Sequence, residues 1–341
     1  MANEQNARRR RRKSSPMPMI LIGVLVLVIF LAAVGIGVSL LGSKEPAEEE
    51  EISSASVAVV DPSSSEESDE SEPELPSAEL QPSGDDLPTP SSSQAAASSG
   101  ATSLEGVPSS FDPALMNGDS GYFNIPSYKQ INSDVKGWLC IPGTNINYPV
   151  LWADDVMYYL DKNIYKQYSK DGVIYAGPTV RFGNSDDISR NTVLFGHNWT
   201  NYSASPRIGN PSDVMLAQLT AYHYREFANA YPYIWYSTDA EEMKWVIFAV
   251  FYTDIGFNYI EPNPGDEQFM EIVNGARSRS RHNFDVEVTT SDKILTLSTC
   301  TRAYGASDQQ RFVVMARLLR EGEQVKAITV TDNPNPVLPS L

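Results

Sequence analysis

Apolar and polar residues alternate in short runs through the C-terminal two thirds of the chain. The clearest run is 293–300, whose positions fall alternately on two faces and which ends on Cys300. A period of two in a run rich in β-branched residues predicts a strand, here with a thiol at its C-terminal end. A loop containing Gly305 follows, and a second alternating run starts at Arg311.

The same kind of pattern predicts further short strands and a few helices. The predicted strands are 137–141, 145–151, 172–175, 192–195, 233–236, 244–252 and 311–319, and the predicted helical segments are 127–135, 213–226 and 266–276. Ser212 is a suitable N-cap for the second helix. Many short strands with few helices between them favour a mainly β domain on a mostly antiparallel sheet that is closed or nearly closed.

An uncharged apolar run, 19–42, follows a basic segment, 1–18, that contains five consecutive arginines. The run is long enough to cross the roughly 30 Å hydrocarbon core of a membrane as a helix. A cleaved signal peptide is the alternative, but its apolar core would be only about 7–15 residues long and a small-residue cleavage site would follow. We therefore expect a retained single-pass anchor in the cell membrane. The basic residues in front of it predict a cytoplasmic N-terminus and place everything after residue 43 outside the cell.

Residues 43–115 consist largely of Ser, Glu, Asp, Pro and Ala. This composition cannot bury enough apolar surface to fold, so it predicts a disordered acidic stalk. We expect the folded domain to span 116–330 and an irregular tail to span 331–341. The formal charge of −17 divides into +5 for residues 1–43, −16 for 44–115 and −6 for the remainder. The folded part is only mildly acidic, which gives no basic face for nucleic acid.

Cys300 is the candidate nucleophile. The chain has two cysteines, which allow at most one disulfide, and three histidines. A catalytic thiol needs a base or charge partner and a donor for the oxyanion that forms on attack. His197 follows the predicted strand 192–195 and a glycine, where a barrel delivers side chains to its rim, so it is the candidate base or acid. His223 lies in a predicted helix, which favours a structural or surface role, and His282 is expected to be solvated.

Arg311 is the candidate oxyanion donor, because an antiparallel return from Cys300 would bring it beside the thiol. Arg302 and Arg317 are rivals, but Arg302 lies in a loop and Arg317 is about 20 Å further along the strand. Spacing alone leaves open the alternative that Cys300 is an inert buried thiol, as expected for Cys140. No cluster has metal-ligand spacing, and no glycine-rich phosphate loop is present.

Several of these motifs resemble those of the class B sortases, cysteine transpeptidases of Gram-positive bacteria. Thr296-Leu-Ser-Thr-Cys300 resembles the family's thiol signature, Val193-Leu-Phe-Gly-His197 its histidine motif, and Arg311-Phe-Val-Val-Met-Ala its arginine strand. Segments 134–138 and 143–150 are similar to the opening of class B catalytic domains. The helix-bearing insert between 252 and 293 also resembles class B rather than class A enzymes.

The resemblance implies a closed eight-stranded sortase barrel with a few peripheral helices and a transpeptidation that needs no metal or other cofactor. Cys300 would attack the Thr carbonyl of a C-terminal sorting motif of the Pro-x-Thr-x type and form a thioacyl enzyme. His197 would act as acid and then base, Arg311 would hold substrate and oxyanion, and Ser298 would line the substrate groove. The implied partners are surface proteins that carry the sorting signal and the amine of a lipid-linked peptidoglycan precursor.

Three alternative functions stay open. The acceptor amine could be a pilin lysine, which would make the protein a pilus-assembling enzyme. The chain could be an extracellular cysteine peptidase that hydrolyses rather than transfers. It could also be a stalked binding module without activity, which an inert Cys300 would support.

Overall fold

A closed barrel of eight strands forms the centre of the computed structural model, which describes residues 104–340. The predicted cytoplasmic segment, the predicted membrane span and most of the predicted stalk lie outside these residues. Between residues 104 and 340, no helix has the length and apolar character needed to cross a membrane. The prediction of a mainly β fold with a closed barrel is confirmed.

Ten strands occur in this part of the chain. They are β1 Val135–Cys140, β2 Asn147–Leu151, β3 Ile174–Ala176, β4 Asn191–Phe195, β5 Tyr233–Thr238, β6 Lys244–Asp254, β7 His282–Phe284, β8 Ile294–Cys300, β9 Gln310–Leu318 and β10 Val330–Asp332. The barrel order is β1, β2, β3, β4, β8, β9, β6, β5, and β5 pairs with β1 to close it. Six of the eight neighbouring pairs are antiparallel, whereas β2–β3 and β4–β8 are parallel.

The helices of the described residues lie between the strands or before the first of them. The α-helices are α1 Ile125–Ile131, α2 Arg225–Ala230 and α3 Asp266–Arg279, and the 3₁₀ helices are Pro113–Asn117, Tyr122–Asn124 and Ala217–His223. The predicted helix at 266–276 is confirmed and extends one turn further, with Phe269, Ile272, Val273 and Ala276 on its buried side. This spacing is that of an amphipathic helix. Acidic residues in its first turn and basic residues in its last suit the helix dipole.

The predicted helix at 213–226 is wrong in type and extent. A 3₁₀ helix, Ala217–His223, is followed by Tyr224 in an extended conformation and then by the short helix α2. The side-chain amide of Asn201 donates to the Ala217 carbonyl, and the hydroxyl of Thr220 donates to the Asn201 carbonyl. Tertiary bonds of this kind override the weak local preference for an α-helix.

Both ends of the folded part differ from the predicted domain bounds. Phe111, inside the predicted stalk, is buried with its ring centroid 5.0 Å from that of Tyr233. Val107 is buried as well. At the other end, the tail predicted to be irregular from Thr331 begins inside β10, which pairs with β7 in a separate two-stranded sheet. Aromatic and backbone contacts therefore order both segments.

Candidate active site

Cys300 and Arg311 lie directly opposite each other on the antiparallel pair β8–β9. Every residue of β8 is buried except Cys300, which is half-buried at the end of the strand. Arg311 is also half-buried, and its Nη1 donates to the carbonyls of Asp308 at 2.7 Å and Gln310 at 2.9 Å. The predicted placement of Arg311 across from Cys300 on the antiparallel return is confirmed. The register leaves Arg317 opposite Ile294, at the far end of β8.

The loop between Cys300 and Arg311 is held by Gln310, a fully buried side chain that the sequence analysis missed. Its Oε1 accepts from the Tyr304 amide at 2.8 Å, and its Nε2 donates to the carbonyls of Gly305 at 2.9 Å and Ser307 at 3.1 Å. A glutamine next to Arg311 was visible in the sequence, but nothing local showed that it would turn inward. These hydrogen bonds fix the conformation of the loop that joins Cys300 to Arg311.

The parallel pair β4–β8 brings His197 to the same edge of the barrel as Cys300. Phe195 is opposite Ser298, and each of the two candidate residues comes two positions later. The backbone at this point is fixed from both sides, because the Thr299 hydroxyl donates to the Gly196 carbonyl at 2.7 Å and the Leu216 amide donates to the His197 carbonyl at 3.0 Å. The structure thus brings all three predicted catalytic residues to one edge of the barrel.

The imidazole of His197 is anchored by the segment between β2 and β3. Its Nε2 lies 2.8 Å from the Leu160 carbonyl, and since a carbonyl can only accept, the neutral ring carries its proton on Nε2. Nδ1 is then the nitrogen left to gain and lose a proton. Burial lowers the pKa of His197, while the Leu160 carbonyl and the charges of Asp171 and Asp161 act in the opposite direction.

Asn198 joins the histidine segment to the thiol strand. Its side chain is 4% exposed, and its Nδ2 donates to the carbonyls of Asn201 at 3.0 Å and Cys300 at 3.3 Å. Its Oδ1 accepts from the Asn201 backbone amide at 2.9 Å. One planar amide therefore holds the turn after His197 and the backbone that carries the nucleophile. No sequence pattern singled out this residue, although its position directly after His197 was a usable signal.

Ser298 is buried, and its hydroxyl lies 2.9 Å from that of Tyr259. The pKa of Tyr259 is raised by burial, against which the charge of Arg311 and the bond to Ser298 act. Burial also raises the pKa of Tyr175, and the charges of Cys300 and Arg311 act on this group with opposite signs. Both tyrosines thus lie close enough to Cys300 and Arg311 for charge on these two residues to act on the tyrosine pKa. A role of Ser298 in the substrate groove stays a prediction.

The remaining candidates occupy other places. Arg302 donates to the Ser307 carbonyl within the loop. His223 accepts a hydrogen bond from Arg281 at Nε2, and its Nδ1 lies 2.8 Å from the Tyr252 hydroxyl. These two contacts give His223 a structural role.

The prediction that His282 is solvated is wrong. The ring is 3% exposed and lies against the 3₁₀ helix Ala217–His223, where its Nε2 is 3.2 Å from the Tyr222 carbonyl.

Cys140 lies outside this cluster. Burial, with a smaller effect from the charge of Asp119, raises the pKa of its thiol to about 12. Both cysteines are free. Among residues 104–340, no three His, Cys, Asp or Glu side chains are arranged to hold a metal ion. The residues at the barrel edge offer the chemistry of a thiol, an imidazole and a guanidinium.

This arrangement is that of a cysteine enzyme whose active site lies at the edge of a closed β-barrel. The thiol is half-buried, an arginine lies opposite it on the next strand, and a histidine lies at the same edge. No family model matches the chain. Sortase B of Listeria monocytogenes is 31% identical over 174 residues, which cover 50% of this chain and 65% of that protein. Sortase B of Staphylococcus aureus is 28% identical over 196 residues, which cover 57% of this chain and 74% of that protein.

Solved structures give the same result. A Staphylococcus aureus sortase B-substrate complex matches with a TM-score of 0.50 and 26% identity over 58% of this chain and 86% of that one. A sortase B complexed with triglycine matches with a TM-score of 0.50 and 25% identity over 60% of this chain and 89% of that one. These relatives and structures confirm the resemblance to the class B sortases that the motifs indicated.

Proposed function

We propose that the chain is a membrane-anchored cysteine transpeptidase that cleaves a Pro-x-Thr-x sorting motif after Thr. It then transfers the cleaved protein to an amino group of a cell-wall peptidoglycan precursor. The observation that carries this proposal is the direct pairing of Cys300 with Arg311 at the barrel edge where β4 delivers His197. Nucleophile, acid–base group and cation are the three parts that acyl transfer requires.

In the first half-reaction, the thiolate sulfur of Cys300 attacks the Thr carbonyl carbon, and the carbonyl π electrons move to oxygen. The guanidinium of Arg311 stabilises this oxyanion. When the oxyanion collapses, the C–N bond breaks and the imidazolium of His197 gives its Nδ1 proton to the departing amine. The product is a thioester between substrate and Cys300.

The second half-reaction reverses the roles. The incoming amine attacks the thioester carbon, and Nδ1 of neutral His197 takes a proton from the amine nitrogen. The C–S bond then breaks. One amide bond is exchanged for another without net oxidation. The Leu160 carbonyl, which keeps the second proton on Nε2, restricts the exchange to Nδ1 in both directions.

The location and the partners are inferred from the chain itself and from its relatives. The apolar run 19–42 behind a basic segment supports a single-pass membrane protein with its catalytic domain outside the cell. The related sortase B with triglycine supports an amine acceptor, since that peptide carries a free amino group. The related substrate complex supports surface proteins with a sorting signal as donors. A pilin lysine as acceptor, and hydrolysis in place of transfer, are the alternatives.

The partition of products tests the proposal. The full-length chain, purified in a mild detergent, is incubated with Pro-x-Thr-x peptides in the presence and absence of triglycine. A transpeptidase gives a triglycine conjugate that grows with the amine concentration, and loses this product in Cys300→Ala and Arg311→Ala but not in Cys140→Ala. A hydrolytic product whose amount and rate are unaffected by triglycine would instead show a peptidase.

A further inference from the structure

Trp199 lies against the candidate catalytic histidine without belonging to the core. The rings of His197 and Trp199 are stacked, with centroids 4.7 Å apart and planes inclined by 30°. The indole Nε1 donates to the Lys170 carbonyl at 2.8 Å, which fixes the ring at its outer end. Trp199 is nevertheless 53% exposed.

Packing in the core does not explain why a tryptophan occupies this exposed position. A large apolar ring that is half in water contributes less to stability than the same ring in a core. Trp199 makes two directional contacts, and both lie at the active-site edge. One is the ring stack with His197, and the other is the hydrogen bond to Lys170 in the segment between β2 and β3. That same segment supplies the Leu160 carbonyl to which Nε2 of His197 donates.

On the basis of the proposed transpeptidase function, we propose that Trp199 is a positioning residue for His197. The indole forms a wall against one face of the imidazole, and the Leu160 carbonyl holds one edge of it. A ring confined in this way keeps its proton on Nε2 and its exchanging nitrogen, Nδ1, in a single orientation. Without the wall, rotation about the side-chain bonds would carry Nε2 away from Leu160 and let the proton move between the two nitrogens.

The kinetic test compares three full-length variants. Trp199→Ala removes both contacts, Trp199→Phe keeps a ring that can stack but removes the donor to Lys170, and Phe123→Ala removes another exposed aromatic ring, 83% exposed, as the matched control. Loss of positioning should lower kcat on the order of tenfold in Trp199→Ala with KM within about twofold. Trp199→Phe should retain at least about a third of the activity, and Phe123→Ala all of it.

Two kinetic results would overturn the assignment. If Trp199→Ala raises KM and leaves kcat unchanged, the residue binds substrate rather than positioning the histidine. If Trp199→Phe is as impaired as Trp199→Ala, the stack is not the contact that matters.

A spectroscopic test does not depend on any substrate, so it separates a failure of this inference from a failure of the proposed function. The three histidines of the chain are labelled with ¹⁵N, and the His197 signals are assigned with His197→Gln. Wild type should show one protonated and one unprotonated ring nitrogen for neutral His197, whereas in Trp199→Ala both shifts should move towards a common average. Trp199→Phe and Phe123→Ala should keep the wild-type pattern. An unchanged single tautomer in Trp199→Ala would refute the proposal.

Discussion

Replacing Asn198 with alanine removes the amide that joins the turn after His197 to the strand that carries Cys300. Three hydrogen bonds disappear together, at 2.9, 3.0 and 3.3 Å, and two of them involve the backbone of Asn201. Asn201 is only 2% exposed, so its backbone amide cannot turn to bulk water. The substitution therefore leaves a buried donor without its acceptor and loosens the carbonyl of Cys300.

The cost follows from these contacts. An ordinary hydrogen bond contributes about 1 kcal/mol net, and a buried donor left unpaired costs about 1–3 kcal/mol. The Cys300 bond is the longest of the three and adds least, so we expect a loss of about 2–4 kcal/mol in the free energy of unfolding. For a domain of this size, that corresponds to a fall of about 5–12 °C in Tm. Because the thiol-bearing backbone is freed, kcat should fall on the order of tenfold.

Thermal unfolding and steady-state transfer kinetics of the full-length chain measure both effects. Asn283→Ala is the matched control, since Asn283 is an exposed asparagine whose amide donates to the Asp332 carbonyl at 3.3 Å. The control should change the free energy of unfolding by less than about 0.5 kcal/mol. If Asn198→Ala unfolds within 1–2 °C of wild type and keeps at least half of its kcat, roughly the bounds of an ordinary surface change, Asn198 does not join the two segments.

Three further predictions concern other groups. Ser298→Ala and Tyr259→Phe should each destabilise the protein, and a double-mutant cycle of thermal unfolding should give a coupling of about 1 kcal/mol, whereas additive effects would mean that the buried bond contributes nothing. Burial, with help from nearby positive charge, lowers the pKa of His223 to about 4, so the fold keeps its full stability above about pH 6.5 and loses stability as the pH falls to 5 and the unfolded chain takes up a proton at this residue. Unfolding of His223→Gln between pH 7 and 5 should show a shallower decline, and a parallel decline would contradict this. Because Cys140 has a pKa near 12, iodoacetamide at pH 8 should add one group to Cys140→Ala and none to Cys300→Ala, as read by intact mass.

Local patterns were sufficient to predict the pairing of Cys300 with Arg311. Both residues lie on consecutive strands with a period of two, separated by a loop that contains glycine. An antiparallel return between such neighbours has few possible registers, so the opposition of the two residues follows from the sequence.

The position of His197 beside these residues depends on contacts that no local pattern encodes. The parallel pairing of β4 with β8 joins segments about a hundred residues apart, and parallel strands have no turn that sets their register. The same limit explains the error at His282. Three arginines in the five residues before it suggested a solvated loop, but the ring is buried and its strand, β7, pairs with the distant strand β10. Asn198 and Gln310 were missed because a polar residue near a loop is more often exposed than buried.

In the proposed reaction, Cys300 forms an acyl enzyme with a sorting peptide and passes the acyl group to an amine. The most direct measurement is intact mass spectrometry of the full-length chain mixed with a panel of Pro-x-Thr-x peptides, followed by addition of an amine. We expect a mass increase equal to the peptide portion up to Thr, absent in Cys300→Ala and lost when the amine is added. An adduct that persists in Cys300→Ala, or no adduct with any peptide while Cys300 itself resists alkylation, would contradict it.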